Sequence, residues 1–138
     1  MDNPFLIENC MRKKPVTIRP EAKLSEAIQL IMDHKITGLT VTDEQGYVKG
    51  IISELDCLKG MLSNVYNDGQ NSPDTVADHM CTEVLSCSPD EDIVKVGQSM
   101  LAERHRRRPV VKDGKLVGQL SCRNILWAMM SFTEKKQG

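Results

Sequence analysis

Apolar residues recur along the chain with two periods, that of an amphipathic helix and that of a short strand. Spacing of i, i+3, i+4, i+7 and i+8 predicts one helix in each half of the chain. The two apolar stripes are Leu24, Ala27, Ile28, Ile31 and Met32, and then Ile93, Val96, Gly97, Met100 and Leu101. Each stripe follows a short predicted strand, residues 16–18 and 85–87, that stops at a proline. Each half therefore opens with a strand and a helix in the same order.

Two further strands and a closing helix follow each of these helices. Asp113-Gly114 is a two-residue hairpin signal, and residues 43–46 form a slightly longer turn. The predicted strands are 39–42 and 48–52 in the first half and 109–112 and 116–120 in the second. The closing helices are predicted at about 54–62 and 123–132. Each half is thus a β-α-β-β-α unit.

The second half repeats the first at a nearly constant offset. Met11 and Met80, Pro20 and Pro89, and Val41 and Val110 are each 69 positions apart. After a turn that is one residue shorter in the second half, Gly50 and Gly118, Ser53 and Ser121, and Leu58 and Leu126 are 68 apart. Such self-similarity indicates a duplication.

The repeat predicts an α/β (α+β) fold in which each unit has a parallel strand pair and an antiparallel return. A unit of about 60 residues is marginal as an isolated core, so the two copies should pack against each other. The expected domains are 1–66, with a lead-in segment, and 75–138, joined by a polar linker at 67–74. Short helices are expected at 5–11 and 75–80, ahead of the two copies.

Composition narrows the class of protein. A formal charge of −1 argues against a general nucleic-acid binder, and the sequence contains no apolar run of about 18 residues that could span a bilayer. Without a signal peptide, the expected compartment is the cytoplasm. Five cysteines with no C-x-x-C pair indicate reduced thiols, and no cluster with zinc-ligand spacing is present, so neither a metal nor a resident cofactor is expected.

Four short motifs carry a resemblance to a known family. They are Met-x-x-x-x-Val-Thr-Ile-x-Pro at 11–20, Gly-Ile-Ile-Ser-Glu-Leu-Asp at 50–56, Arg-Arg-Arg-Pro-Val-Val at 106–111 and Gly-Gln-Leu-Ser-Cys-Arg-Asn at 118–124. Their order and spacing resemble the CBS-domain pair, or Bateman module, over residues 11–131. The resemblance implies two CBS repeats packed with pseudo-two-fold symmetry, a stand-alone module that is not an enzyme, and clefts that bind an adenine nucleotide such as AMP, ADP or ATP.

The resemblance also assigns residues to two clefts, each drawn from both copies. In the first cleft an aspartate holds the ribose, the preceding serine lies near the phosphate, and basic residues two and three places before a proline face the phosphates. Carried over by position, the first cleft comprises Asp56, Ser53, Leu85, Ser86, Cys87, Arg106 and Arg107. The second comprises Asn124, Ser121, Val16, Thr17, Ile18, Thr37 and Gly38.

The second cleft departs from the family pattern, because Asn124 replaces the aspartate and Thr37-Gly38 supplies no cation. We therefore expect the Asp56 cleft to be the better nucleotide site. Taken alone, Asp56 is also explained as a helix N-terminal residue that favours the helix dipole. Likewise, Arg104 and Arg108 could pair with acidic neighbours such as Glu103, and a run of charge is often only a solvated face.

Two other functions stay open at this point. The closing helices are apolar on more than one face, which favours a homodimer, as the CBS resemblance also implies. A dimerisation or interaction scaffold that needs no ligand is one alternative to a regulatory, energy-sensing module with an unidentified protein partner. A nucleic-acid binder that uses the basic run 104–108 is a weaker alternative, since the net charge is balanced and aromatics are few.

Overall fold

A computed structural model of the chain describes residues 3–66 and 74–137. Most of the predicted linker, residues 67–73, lies outside the described residues. In chain order the elements are α1 (Ile7–Cys10), β1 (Thr17–Ile18), α2 (Leu24–His34), β2 (Gly38–Thr42), β3 (Val48–Ser53), α3 (Glu54–Tyr66), α4 (Val76–His79), α5 (Ile93–Glu103), β4 (Arg107–Lys112), β5 (Lys115–Ser121) and α6 (Cys122–Gln137).

These elements form two compact units. The first-repeat unit comprises residues 16–84, and the second-repeat unit comprises residues 1–15 and 85–138. The predicted boundaries 1–66 and 75–138 follow the sequence repeat and stay a prediction. In the compact units, the N-terminal lead-in segment, residues 1–15, belongs with the second repeat, and the lead-in segment ahead of the second repeat belongs with the first.

The first-repeat unit contains a three-stranded sheet in the order β1-β2-β3. β1 runs parallel to β2, with Thr17 opposite Thr40, and β2 runs antiparallel to β3, with Gly38 opposite Ser53. This confirms the predicted parallel pair and antiparallel return. Of the apolar stripe of α2, Leu24, Ala27 and Ile31 are buried and Ile28 is half-buried, whereas Met32 is 67% exposed. The core contains Ile18, Leu24, Ala27, Ile31, Leu39, Val41, Ile52, Cys57 and Val76.

The second-repeat unit has only the two-stranded sheet β4-β5, and the strand predicted at 85–87 is wrong. One parallel bridge remains, in which Cys87 N–H donates to Pro109 O at 3.0 Å and Val111 N–H donates to Cys87 O at 2.8 Å. If this bridge were extended toward the N-terminus as a parallel strand pair, the backbone N–H of residue 109 would have to donate to the backbone oxygen of Leu85. Proline has no N–H to donate. The matching residue of the first repeat is Thr40, which has one, and there the strand forms.

The two short predicted helices are present as α1 and α4, and each precedes a methionine that packs on a glycine. In the first-repeat unit a Cβ added to Gly50 would lie 2.9 Å from Met80 Sδ, and in the second-repeat unit a Cβ on Gly118 would lie 2.5 Å from Met11 Sδ. The residue after each methionine bridges the adjacent strand, Cys81 to Ile51 and Arg12 to Gln119. The repeated Met and Gly positions are therefore contact partners.

Candidate functional site

Asp56 lies in the first turn of α3 and caps that helix together with Ser53. Ser53 N–H donates to Asp56 Oδ2 at 2.9 Å, and Asp56 N–H donates to Ser53 Oγ at 3.1 Å. This reciprocal pair is a capping box, which satisfies two backbone donors that a helix start leaves open. Within residues 3–66 and 74–137, no hydrogen bond engages the other carboxylate oxygen, Oδ1. The half-buried carboxylate of Asp56 is thus held in place by Oδ2, and Oδ1 is available to accept a hydrogen bond from a ligand.

Asn124 repeats this arrangement at the start of α6. Ser121 N–H donates to Asn124 Oδ1 at 2.9 Å, and Asn124 N–H donates to Ser121 Oγ at 3.1 Å. Because Asn124 Oδ1 accepts from the backbone, its remaining polar group is the Nδ2 amide, which can only donate. A pair of ribose hydroxyl groups needs an acceptor. The two repeats therefore share a cap and differ in what the capping side chain offers to a ligand.

The first-repeat unit brings its predicted residues to one end of its sheet, which we call the first-repeat edge: Val16, Thr17, Thr37, Gly38, Ser53 and Asp56. Glu54 N–H donates to Thr37 O at 2.9 Å, which fixes the start of α3 against the start of β2. Ile18 is 8% exposed and lies in the core, so its side chain does not contribute to this edge. A Cβ on Gly38 would lie 3.1 Å from Ile52 O, which explains why a glycine fits there.

The second-repeat unit has a corresponding second-repeat edge: Leu85, Ser86, Arg106, Arg107, Ser121 and Asn124. Arg107 lies opposite Ser121 in the sheet, and Cys122 N–H donates to Arg106 O at 3.0 Å. Leu85, Ser86 and Arg106 are exposed and Arg107 is half-buried. The strand ends therefore place two guanidinium-bearing residues beside a serine.

Cys87 belongs to the core rather than to the second-repeat edge. Its side chain is buried, and its thiol donates to Pro109 O at 3.6 Å. Burial raises the pKa of Cys87 to about 12, Glu91 adds to the rise, and the positive charge of Arg108 opposes it. Both backbone groups of Cys87 are also occupied by the bridge to β4. Its effect on the edge is therefore to anchor the preceding Leu85 and Ser86.

The basic run 104–108 is not a uniform surface. Arg104 is exposed and ends α5 in a left-handed conformation, at φ 59°. Arg108, by contrast, is only 4% exposed and is bound to Ser99 and His105. No ion pair joins Arg104 or Arg108 to an acidic side chain in the part of the chain that the structure describes. The alternative explanation, in which these arginines pair with an acidic neighbour such as Glu103, is therefore wrong.

The burial of Arg108 is not evident from the charged run 104–108, but it is indicated by comparing the two repeats. The position 69 residues earlier is Leu39, a buried strand residue. A buried residue in one repeat predicts a buried one at the equivalent position of the other.

Family comparison supports the duplicated organisation. A family model described as the CBS domain matches residues 7–63 and again residues 76–131. The chain belongs to the CBS domain family. It carries two CBS domains, and the two matched segments follow the repeat that the sequence shows.

Solved structures show the same fold as this CBS pair. Arabidopsis thaliana CBSX2 in complex with AMP has a TM-score of 0.80 at 24% identity, covering 94% of this chain and 98% of that one. At that identity the likeness shows the fold. The CBS domain pair of protein MJ0100, in complex with 5′-methylthioadenosine and S-adenosyl-L-methionine, has a TM-score of 0.76 at 25% identity, covering 91% of this chain and 96% of that one.

Among curated relatives, uncharacterized protein MJ1225 of Methanocaldococcus jannaschii is 22% identical over 120 residues. The match includes 87% of this CBS pair but only 41% of MJ1225.

One pocket of about 700 Å³ lies wholly within the second-repeat unit, between the N-terminal segment and α6. Its lining includes Asn9, Arg123, Asn124, Trp127 and Phe132. Arg123 and Asn124 therefore face the same pocket, a relation that the sequence alone left undecided.

Membrane-spanning helices and metal-binding clusters are both absent from the described parts of the chain. Among residues 3–66 and 74–137, no helix has the length and apolar character required to cross a bilayer. Over the same ranges, no three histidine, cysteine, aspartate or glutamate side chains are grouped closely enough to hold a metal ion.

Proposed function

We propose that this CBS pair is a regulatory module that binds an adenine nucleotide, with the ribose on Asp56 and the phosphates at Arg106 and Arg107. The observation that carries the proposal is the Asp56 carboxylate. One of its oxygens is fixed by Ser53, and the other is a ready acceptor for hydroxyl donors. A carboxylate can accept from both hydroxyl groups of a ribose, which a neutral amide in the same place does less well.

The phosphate end of the proposal rests on the second-repeat edge. Guanidinium groups bind phosphate through paired, charge-assisted hydrogen bonds. Arg106 and Arg107 precede Pro109 by three and two residues, and Arg107 is the first residue of β4. Ser86 and Leu85 are exposed. These residues supply cations, a hydroxyl and an apolar side chain, the kinds of group that a phosphorylated nucleoside requires.

Related structures support the choice of ligand class. CBSX2 is solved with AMP, and the MJ0100 pair with 5′-methylthioadenosine and S-adenosyl-L-methionine. These ligands share an adenosine moiety. We therefore propose an adenosine-containing ligand, and a phosphorylated one because of the arginines.

Regulation would follow from differential binding. A ligand that favours one of two arrangements of a protein shifts the population toward it. We propose that nucleotide binding acts in this way on a protein partner, and that the pair itself performs no catalytic step.

The test of the proposal is Asp56→Asn. Asn124 shows that asparagine makes the same two cap hydrogen bonds, so this variant removes the carboxylate charge and acceptor while keeping the helix start. Losing charged hydrogen bonds should weaken ATP and AMP binding by about 1–3 kcal/mol, or about 5- to 150-fold in Kd. Isothermal titration calorimetry measures the affinity, and thermal unfolding checks that stability is retained.

A matched variant and a phosphate-specific one complete the experiment. Asn124→Asp places a carboxylate in the equivalent cap of the other repeat, so that, combined with Asp56→Asn, it restores the net charge without restoring the carboxylate at position 56. Arg107→Ala should weaken ATP and ADP more than adenosine, because it acts on phosphate. Unchanged affinity in Asp56→Asn would remove the carboxylate from the site, and equal losses for all ligands in Arg107→Ala would remove the arginine.

Self-association is a second proposed function, and the helix surfaces favour it. Large apolar side chains are exposed on both closing helices: Leu55, Leu58, Met61, Leu62 and Val65 on α3, and Leu126, Trp127, Met129 and Met130 on α6. Large exposed apolar patches are uncommon on monomeric proteins and usually mark interaction surfaces. We propose that they form a homodimer interface.

A further inference from the structure

Arg108 is a buried cation without an acidic partner among the described residues. Its Nη1 donates to Ser99 Oγ at 2.9 Å, and its Nη2 lies 3.3 Å from His105 Nδ1. Its Nε is buried and has no hydrogen-bond partner. Buried charges are normally paired, because removing an ion from water costs several kcal/mol. The guanidinium of Arg108 is thus held by Ser99 and His105 and meets no carboxylate among the described residues.

The fold does not require a charge at this place. Arg108 lies opposite Leu120 in the β4-β5 pair, and the equivalent first-repeat residue, Leu39, lies opposite Ile52 in β2-β3. Leu39 is 2% exposed, so the same buried strand position is filled there by a leucine. An apolar side chain therefore satisfies the architecture, and the arginine adds a charge that packing alone does not explain.

Arg108 adjoins the second-repeat edge, since it follows Arg107 in β4. Arg108 directly follows Arg106 and Arg107 in the chain, and side chains alternate along a strand, so Arg108 points into the unit where Arg107 points out. Its positive charge is felt at Cys87, where it opposes the rise of the pKa. Cys87 in turn fixes Ser86 and Leu85. A charge held in a medium of low polarity acts over several ångströms more strongly than one in water.

We propose that Arg108 makes the nucleotide site selective for anionic ligands, so that it accepts phosphorylated adenine nucleotides and disfavours neutral or cationic adenosine derivatives. This inference rests on the proposed function and decides among its ligands. Arg106 and Arg107 would contact phosphate, whereas Arg108 acts through its field as a positioning and selectivity residue. On this basis ATP, with the largest negative charge, gains most. 5′-Methylthioadenosine is neutral and gains nothing, and the sulfonium of S-adenosyl-L-methionine is disfavoured.

The test is Arg108→Leu, which restores the side chain of the equivalent first-repeat position, with Arg108→Met as a second, more adaptable apolar variant. Calorimetry on the full chain measures Kd for ATP, AMP, adenosine and S-adenosyl-L-methionine. In either variant ATP affinity should fall about tenfold, the scale of one charge acting at several ångströms in protein. AMP should lose less, adenosine should change less than about twofold, and S-adenosyl-L-methionine should bind no more weakly. Ser99→Ala, which keeps the charge, should preserve the ATP preference.

The outcomes separate this inference from the proposed function. Equal losses for ATP and adenosine, or unchanged ATP affinity in a folded variant, would overturn the selectivity role and leave nucleotide binding intact. Wild-type protein that binds S-adenosyl-L-methionine more tightly than ATP would also overturn it. If the wild-type chain binds none of the four ligands, the proposed function fails and the selectivity role fails with it. Thermal unfolding should show Arg108→Leu at least as stable as wild type, because a desolvated charge is removed.

Discussion

A glycine substitution in β3 tests how closely the segment at Met80 and Cys81 packs on the strand that leads to the candidate site. A Cβ added to Gly50 would lie 2.7 Å from the backbone oxygen of Cys81 and 2.9 Å from Met80 Sδ. The methionine can rotate away, but the backbone oxygen cannot move without disturbing the bridge. That bridge consists of Ile51 N–H donating to Cys81 O at 2.9 Å and Cys81 N–H donating to Ile51 O at 2.8 Å.

The cost of Gly50→Ala follows from these contacts. Overpacking costs about 1–3 kcal/mol, and weakening the two bridge hydrogen bonds adds up to about 1 kcal/mol each. We expect the free energy of unfolding to fall by about 2–4 kcal/mol. Because β3 leads directly into Ser53, nucleotide affinity should fall as well.

Gly97 provides the matched control. It lies inside α5, and a Cβ there would come no closer than 3.5 Å to Ile125, which is an ordinary contact. Alanine in a helix interior is more stable than glycine by about 0.5–1 kcal/mol. Gly97→Ala should therefore raise the free energy of unfolding by about that amount. The same glycine-to-alanine change is thus expected to destabilise the chain at position 50 and to stabilise it at position 97.

Urea unfolding followed by circular dichroism measures both variants against wild type. A change in the transition midpoint at constant slope reports stability, whereas a changed slope reports a different unfolded or native state. A Gly50→Ala variant as stable as wild type would contradict this prediction, because the close approach of Cys81 would then carry no cost. The prediction is equally refuted if Gly97→Ala is destabilised by as much as Gly50→Ala.

Three further predictions follow from exposure and titration. Leu58→Glu on α3 should shift the chain toward monomer in sedimentation velocity; a wild-type chain that is monomeric at high concentration would contradict the dimer proposal. Cys87 should resist iodoacetamide at pH 8 in the native protein because burial raises its pKa to about 12, whereas exposed Cys81 should be alkylated; equal labelling by mass spectrometry would contradict the burial. Hydrogen bonds from Thr75 lower the pKa of Asp78 below 3.8, so this carboxylate stabilises the fold above that pH and the contribution is lost as pH falls through the folded-state value. The stability gap between wild type and Asp78→Ala should therefore narrow from pH 5 to pH 3 in urea titrations, and a constant gap would refute the assignment.

Local patterns in the sequence predict much of the fold because their causes are local. The periodicity of α2 and α5 and the Asp113-Gly114 turn depend on residues a few positions apart, and the structure confirms both helices and the turn. Within the two stripes, Met32 and Leu101 are exposed rather than buried. The repeat itself predicts two units of the same order. Its Ser53–Asp56 and Ser121–Asn124 spacings are local as well, since a capping box joins residues three apart.

Strand pairing and burial depend on partners that are distant in sequence. For these two properties the sequence pattern predicted a wrong strand at 85–87 and did not predict that Arg108 is buried. Residues 85–87 resemble a strand, but whether they form one is decided by Pro109 on the facing strand, which lacks the required donor. The 104–108 run reads as a charged surface, yet Arg108 is buried because alternation along β4 turns it toward Ser99 of α5.

The sequence by itself determined the helices, all the strands except the one predicted at 85–87, their duplicated order and the resemblance to the CBS family. Only the tertiary structure decided that Met11 packs on Gly118 and Met80 on Gly50, and that Arg108 is buried against Ser99 and His105 without a carboxylate partner among the described residues. The physical reason is one of range. Helix propensity, amphipathic periodicity and capping depend on residues that are a few positions apart in the sequence. Side-chain contacts and the desolvation of buried groups arise only when distant segments pack together.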